Sequence, residues 1–528
     1  MKFKSNKILL ALCSCLCAPI PAFSQDMGFD EKINEAFMPF ALWWESLIFS
    51  EISLFGFSVP VVLVLLLAGA SFFTIYFKFI NIRLFPMAIQ VVRGTFDALE
   101  QQAEIDTSVP ALPHSGEVNH FQALTTAVSG TVGLGNIAMV AVAISIGGPG
   151  ATFWMILAGL LGMSSKFVEC TLGVAYRDID EKGHVFGGPM YYLSRGLQER
   201  GYKWLGKVLA ITFALLCVGA SLGGGNAFQT NQAAAQIMDR FAINGASSGT
   251  LIGLIFAFFV GIVIIGGIQR IAKVTEKIVP FMAALYVGAA LLIIGLNFDK
   301  VGEAIALIGS EAFSPRATIT GGFVGVMIQG FRRAAFSNEA GAGSAAIAHA
   351  AVNTRFAASE GLVGLLEPFI DTVVICSITA LVLIIFNIDG AFVYGDVINQ
   401  QALLADGTRA GGVNLTSMAF ENTIPGSSYV LVFAVILFAF STIISWSYYG
   451  LQAWKYLFGR SRISDLIYKL LFLVFTVLGA AITLDAVIKF SDAMILALVF
   501  PNIIGLLLLY PKAREELSKY LKMIRAGS

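Results

Sequence analysis

The chain has 528 residues, of which 57% are hydrophobic and 13% charged, about half the charged share of an ordinary soluble protein. Lys plus Arg number 34 and Asp plus Glu number 34, so the net charge is zero and no global field favours nucleic acid or an acidic partner. A mean hydropathy of +0.79 excludes a soluble enzyme and places the chain among all-α polytopic membrane proteins, with lipid as an obligatory partner.

At the start, Lys2, Lys4 and Lys7 precede the apolar run ILLALCSCLCAPI and the segment PAFSQ. These are the charged, apolar and cleavage regions of a signal peptide, expected over residues 1–24. The apolar part is shorter than the ~20 residues a spanning helix needs, so cleavage is expected, leaving 25–53 as an external segment. Three of the six cysteines belong to that leader. Cys170, Cys217 and Cys376 lie in apolar stretches, where a small core residue is the commoner role than a metal ligand.

Apolar segments follow near 54–77, 121–147, 150–176, 205–236, 250–269, 278–297, 320–349, 361–386, 428–451, 467–485 and 491–510, which predicts eleven transmembrane helices. With an external N-terminus the odd spans run inward. Lys78, Arg83, Arg177, Arg195, Lys203, Arg270, Lys273, Arg355, Lys455, Arg460 and the basic tail from Lys512 then all face the cytoplasm, as the positive-inside rule requires. The expected division is 54–120 for a first span and cytoplasmic loop, 121–297 and 298–510 for two five-helix halves, and 511–528 for a cytoplasmic tail. The 78–119 loop contains VRGTFDALEQQAEID, which has helical character, and the external 387–427 loop is long enough for either a small lid or a disordered excursion. No phosphate-binding loop or spaced Cys/His cluster occurs, so an ATP-driven pump and a metalloenzyme lack support.

The second span carries GTVGLGN near its middle and the seventh carries FSNEAGAGSA at 336–345. A helix broken at membrane depth exposes backbone groups that cost several kcal/mol each unless protein, water or a ligand satisfies them. A half-helix N-terminus offers N–H groups to a carboxylate, and the preceding C-terminus offers carbonyls to a cation. The competing reading is close helix packing through glycine. The breaks lie five spans apart, which divides spans two to eleven into halves of opposite orientation, an inverted repeat with its site near the midplane. In the fourth span, SLGGGNAFQTNQ places Asn226, Gln229 and Thr230 within two turns; Gln229 is the expected substrate contact, and helix–helix bonding is the alternative for each amide.

Charged residues inside spans need partners. Arg332, twelve residues into the seventh span, is about 18 Å deep by helical rise. Arg332, Arg333 and Glu339 flank the second break, and Glu367 and Asp371 stand at i, i+4 in the eighth span. They form a gate or proton relay on one reading and a structural ion-pair network on the other. Lys166 and Glu169, three apart in span three, are expected to pair locally.

The stretches GTVGLGNIAMVAVAISIGGPGATFWM, GGPMYYL, FRRAAFSNEAGAGSAAIAHA and STIISWSYYG resemble the alanine or glycine:cation symporter family from roughly residue 60 to 510. The resemblance implies a LeuT-like 5+5 inverted repeat preceded by one extra N-terminal span. It implies symport of a small neutral amino acid with Na⁺, no organic cofactor, no enzymatic activity and a bacterial plasma (inner) membrane location. It places the substrate at Thr131, Gly133, Leu134, Gly135 and Asn136, joined by Thr442 and Trp446, the latter as a wall limiting side-chain size. For Na⁺ it implies oxygens at Ser129, Val132, Ser441, Thr442 and Ser445, with Thr131 and Asn136 as a second site. Leu134 stands where the family pattern carries Thr and Met139 where it carries Gly, so alanine, glycine, serine and a larger side chain all stay in play. The alternatives are proton-coupled symport through Glu339, Glu367, Asp371 and His349 and, from another class, an amino-acid sensor or a channel.

Overall fold

The computed structural model describes residues 29–54, 56–102, 116–245, 247–314, 316, 319 and 321–527; the signal-peptide region lies outside the described residues. The N-terminal segment forms helix α1 (Phe29–Ile48), which carries Asp30, Glu31, Lys32, Glu35 and Glu45 along its length. It docks on the bundle through Asp30, bonded to Thr250 Oγ1 at 2.6 Å, and through Phe37, edge-on to Phe490 at 5.0 Å. A short hairpin, β1 (Glu51–Leu54) and β2 (Phe57–Pro60), then leads into α2 (Val61–Tyr76).

The second span is two helices, α3 (His120–Thr131) and α4 (Val140–Gly147), bent by 48° about a break that includes a π-helical turn at Gly135–Met139. Asn119 starts α3 with a reciprocal capping box to Gln122. There follow α5 (Ala151–Ala175), the short α6 (Pro189–Glu199), and the fourth span as α7 (Lys203–Leu222), a π-turn at Gly223–Ala227 and α8 (Phe228–Arg240). Next come α9 (Ser248–Ile264), α10 (Gly267–Leu296) and α11 (Phe298–Glu311).

The seventh span is again broken. α12 (Gly322–Asn338) stops at Glu339, whose φ of +53° is left-handed, Gly341 and Gly343 also have positive φ, and α13 (Ala345–His349) resumes the helix. The eighth span is α14 (Ala357–Gly364), a π-helical stretch at Phe369–Cys376 and α15 (Ser377–Asn387). The chain ends in α17 (Ser427–Phe458), α18 (Arg462–Ala481), α19 (Leu484–Ala497) and α20 (Val499–Gly527), after α16 (Gly412–Thr423).

Among the described residues, seven helices are long and apolar enough to cross a membrane, and the bent α3/α4 pair makes an eighth. The apolar α2 and α9 are shorter, and the 322–349 segment is two pieces, so length and composition alone certify eight of the eleven expected spans. The 387–427 loop is folded. Strands β3 (Phe392–Ile398), β4 (Gln401–Leu404) and β5 (Arg409–Gly411) form an antiparallel sheet, and α16 reaches the first break through Thr416 Oγ1, which donates to Ile137 O at 3.2 Å. In the 78–119 loop, short helices occupy Phe85–Val92 and Asp97–Gln102, and residues 103–115 are outside the described set.

Candidate functional site

The first break exposes backbone donors, and nearby amides meet them. Leu134 N–H donates to Gln229 Oε1 at 2.9 Å and Gly133 N–H to Asn136 Oδ1 at 2.9 Å. Gln229 in turn donates from Nε2 to Gly224 O at 3.0 Å, so the π-turn of the fourth span holds the amide against the break. A Cβ on Gly133 would collide with Thr442 Oγ1 and lie 3.0 Å from Gln229 Oε1. The expected residues Gly133, Leu134, Asn136, Gln229 and Thr442 therefore come together. Gly135 borders them, with space for an ordinary contact to Phe336. Thr131 does not join, because its hydroxyl bonds back to Ala127 O and Val128 O of its own helix.

One turn earlier, α3 and α17 bring oxygens together. Thr442 Oγ1 donates to Ser129 O at 2.9 Å, Ser445 Oγ to Ser129 Oγ at 3.0 Å, and Ser129 Oγ to Ser441 O at 2.7 Å. These groups are hard, neutral oxygens fully withdrawn from solvent, the donor chemistry that suits Na⁺. Ser441 contributes its carbonyl here, since its hydroxyl turns to Phe438 O and Met282 Sδ. Val132 leaves helical geometry at ψ 86° while its N–H still bonds to Val128 O. Asn136 is turned from Thr131 toward the eighth span, donating to Asp371 Oδ1 at 2.7 Å and Asp371 O at 3.0 Å. The second cation site sketched from Thr131 and Asn136 thus has Asn136 beside Asp371 instead.

Trp446 is 1% exposed and is no interfacial anchor. Its Nε1 lies 3.2 Å from both Gly130 O and Glu339 Oε1, which ties α17 to both breaks. Its ring lies against the backbone of Gly225, where any Cβ would strike it. The glycine-rich π-turn is therefore what lets a large indole sit beside the break, with Phe228 and Phe336 meeting edge to face at 5.4 Å next to it.

The charged residues have partners from distant segments. Arg333 bonds to Asp492 at 2.9 Å and to Met139 Sδ at 3.2 Å, and Arg332 bridges Asp492 at 2.8 Å and Glu45 at 3.1 Å. Glu339 accepts from Ser344 as well as Trp446. The expected Lys166–Glu169 pair is not formed. Lys166 Nζ bonds to Glu367 at 2.9 Å and Glu169 accepts from Asn502 at 2.8 Å, because the facing helices supply better-placed partners than the same helix does. Glu367 and Asp371 also part company: the π-helical stretch sends Asp371 to Asn136 and Glu367 to Lys166. Sequence reasoning did not find Asp492, Glu45, Glu360 or His120 as partners. A charged residue within an apolar span is the one signal that could have flagged Asp492.

At the end of the bundle where α3 begins lies a cavity of about 830 Å³, lined by Glu117, Asp178, Tyr448, Gln452, Lys455 and Arg460 among others. Burial pushes the Glu117 carboxyl up, partly offset by the Val185 N–H it accepts, whereas Arg460 and Arg195 hold Asp178 low. Tyr448 and Gln452 stand two and six residues beyond Trp446 on α17, about 3 and 9 Å along its axis by helical rise.

The profile of the sodium:alanine symporter family matches residues 44–528. The sodium/alanine symporter AgcS of Methanococcus maripaludis is 38% identical over 451 residues, 85% of this chain and 92% of its own length. A Bacillus subtilis protein named "Probable sodium/glutamine symporter GlnT" is 30% identical over 467 residues, 88% of each chain. Among solved structures, MhsT in complex with L-phenylalanine superimposes with a TM-score of 0.47 at 14% identity, covering 76% of this chain and 99% of that one.

Proposed function

This chain belongs to the sodium:alanine symporter family, transporters rather than enzymes, and on that premise we propose that it imports a small neutral amino acid, alanine or glycine, together with Na⁺ by alternating access. The observation that carries the reading is the junction at Thr442, which touches both the Ser129 oxygen cluster and the space over Gly133. Na⁺ among Ser129, Ser441, Thr442 and Ser445 would place a positive charge one turn from the Gly133–Leu134 donors. A substrate carboxylate would then displace Gln229 Oε1 from Leu134 N–H, leaving the Gln229 amide to hold the zwitterion. Binding of one lowers the electrostatic cost of binding the other, and that mutual effect is the coupling. The 830 Å³ cavity serves as the cytoplasmic exit, and the external sheet with α16 closes the other side. The distribution of Lys and Arg supports a bacterial inner-membrane protein with its N-terminus outside.

Purified protein in liposomes with an inward Na⁺ gradient should concentrate radiolabelled alanine or glycine, driven also by the membrane potential at about 2.3 kcal/mol per charge per 100 mV. Absence of Na⁺-driven accumulation of any small neutral amino acid would refute the reading. Ser445→Ala removes one oxygen from the cluster and should raise the half-saturating Na⁺ concentration about 5- to 30-fold at unchanged fold, roughly 1–2 kcal/mol of a hydrogen-bond-sized interaction. Trp446→Phe removes the outer part of the indole and the Nε1–H that meets Gly130 O and Glu339 Oε1, and should admit branched side chains in a competition panel; unchanged selectivity would remove Trp446 from the pocket.

A further inference from the structure

A string of charged side chains runs from the cytoplasmic end of the bundle toward the breaks, and the symport cycle above leaves it unused. His120, the first residue of α3, has an 11% exposed side chain and bonds through Nδ1 to Glu360 Oε2. The other oxygen of Glu360 meets His349 Nδ1 at 2.5 Å. His349 Nε2 then faces Glu367 Oε2 across 3.7 Å, and neither atom has a hydrogen-bond partner. The remaining oxygen of Glu367 holds Lys166. Apart from His120, all of these side chains are fully buried.

The charge arithmetic leaves a vacancy for a proton. Two carboxylates against one ammonium give the string a net negative charge, and one proton on either imidazole makes it neutral. One further cation faces the string: Arg177 acts on Glu360 through its charge, while its guanidinium hydrogen bonds go to the carbonyls of Ala350, Val352 and Thr354. Cys170 adjoins His349, and Glu169 and Glu339, held by Asn502 and by Ser344 with Trp446, are two further carboxyl groups that face Lys166. Glu100, bonded to Thr354 and Tyr520, and Asp97 lie on the side of His120 and add negative charge there. An uncompensated charge at this depth costs several kcal/mol, and histidine is the side chain that exchanges a proton near neutral pH.

The position of the string gives the proton a consequence. Glu360 belongs to the eighth span, whereas His120 begins the cytoplasmic half of the second span and His349 ends that of the seventh, so one carboxylate clasps both half-helices. Val118 and Val352 add a backbone bridge between the same two segments. Imidazolium–carboxylate bonds are roughly twice as strong as neutral ones. We infer that His120, Glu360 and His349 form a proton-binding site loaded from the cytoplasm, which fastens the cytoplasmic halves of both broken spans when occupied and frees them when the proton leaves. Only the transport part of its test rests on the symport reading.

Amide hydrogen exchange, corrected for the intrinsic effect of pH, reads the clasp directly. In the wild-type protein, protection of 117–128 and 345–352 should fall at least about threefold from pH 6 to pH 8, and His120→Gln and His349→Gln should flatten that change. His120→Gln, at the solvent end, keeps the test sound even where His349→Gln or Glu360→Gln fails to fold. In liposomes, uptake should slow by a similar factor when internal pH alone is lowered and not when external pH alone is. A wild type whose protection ignores pH, or variants that keep the full pH response, would overturn the clasp. Failure of Na⁺-driven uptake with pH-dependent protection intact would instead overturn the symport reading alone.

Discussion

Gly133→Ala should abolish Na⁺-driven uptake, by about 100-fold or more, in a protein that is still produced and folded. The backbone at Gly133 has no positive φ, so alanine suffers no torsional penalty there. The damage is steric and local: the added methyl would collide with Thr442 Oγ1 and crowd Gln229 Oε1. Thr442 anchors α17 to Ser129 O, so pushing it away spoils the oxygen cluster together with the donor pair at Gly133 and Leu134. A hundredfold loss corresponds to about 2.7 kcal/mol, which misplacement of two such groups readily reaches. Gly135→Ala is the control, because its methyl would sit 3.5 Å from Phe336, an ordinary contact, and uptake should stay within a few-fold of wild type. Initial uptake rates at saturating Na⁺, with size-exclusion profiles for folding, decide the matter. Equal activity of the two variants would detach the first break from the substrate.

The contrast between these two glycines shows what could and could not be read before the structure. That the second and seventh spans break was legible, because glycines and helix-capping residues at membrane depth conflict with a continuous helix and only a site resolves the conflict. The place of Thr442 and Ser445 beside Ser129 was reachable through the motif and helical spacing. Which glycine is jammed and which is free depends on atoms about 95 and 310 residues away, beyond any local rule. The π-turns at 223–227 and 369–376 were hidden for a related reason. A single shifted hydrogen-bond register changes no residue type, yet it opens the bed for Trp446 and separates Glu367 from Asp371. The Lys166–Glu169 expectation failed because the i, i+3 rule describes exposed helices, whereas inside the bundle the nearest opposite charge on a facing helix wins.

Asp492→Ala should lower stability by about 3–5 kcal/mol, the cost of breaking a buried ion pair from one side. Arg333 is 2% exposed with its guanidinium on both Asp492 oxygens, and removal of the carboxylate leaves that cation in the bundle with only a methionine sulfur. Arg332 is placed differently. It is partly exposed, stacks on Phe49 at 4.0 Å and shares Asp492 with Arg333, which still neutralises that carboxylate when Arg332 is removed, so Arg332→Ala should cost no more than about 1 kcal/mol. Replacing both members of the buried pair, as Arg333→Met with Asp492→Leu, should recover most of the loss, since no charge is then stranded. Thermal unfolding in detergent, followed by tryptophan fluorescence, ranks the three proteins. That ranking separates the two roles open to this pair. If Asp492→Ala proves as stable as Arg332→Ala while uptake is lost, the carboxylate is a moving gate that spends part of each cycle unpaired. If stability collapses and the apolar pair restores both fold and uptake, Arg333 and Asp492 are a fixed strut joining α12 to α19, and the moving parts lie below the break, where Glu360 clasps the other two half-helices.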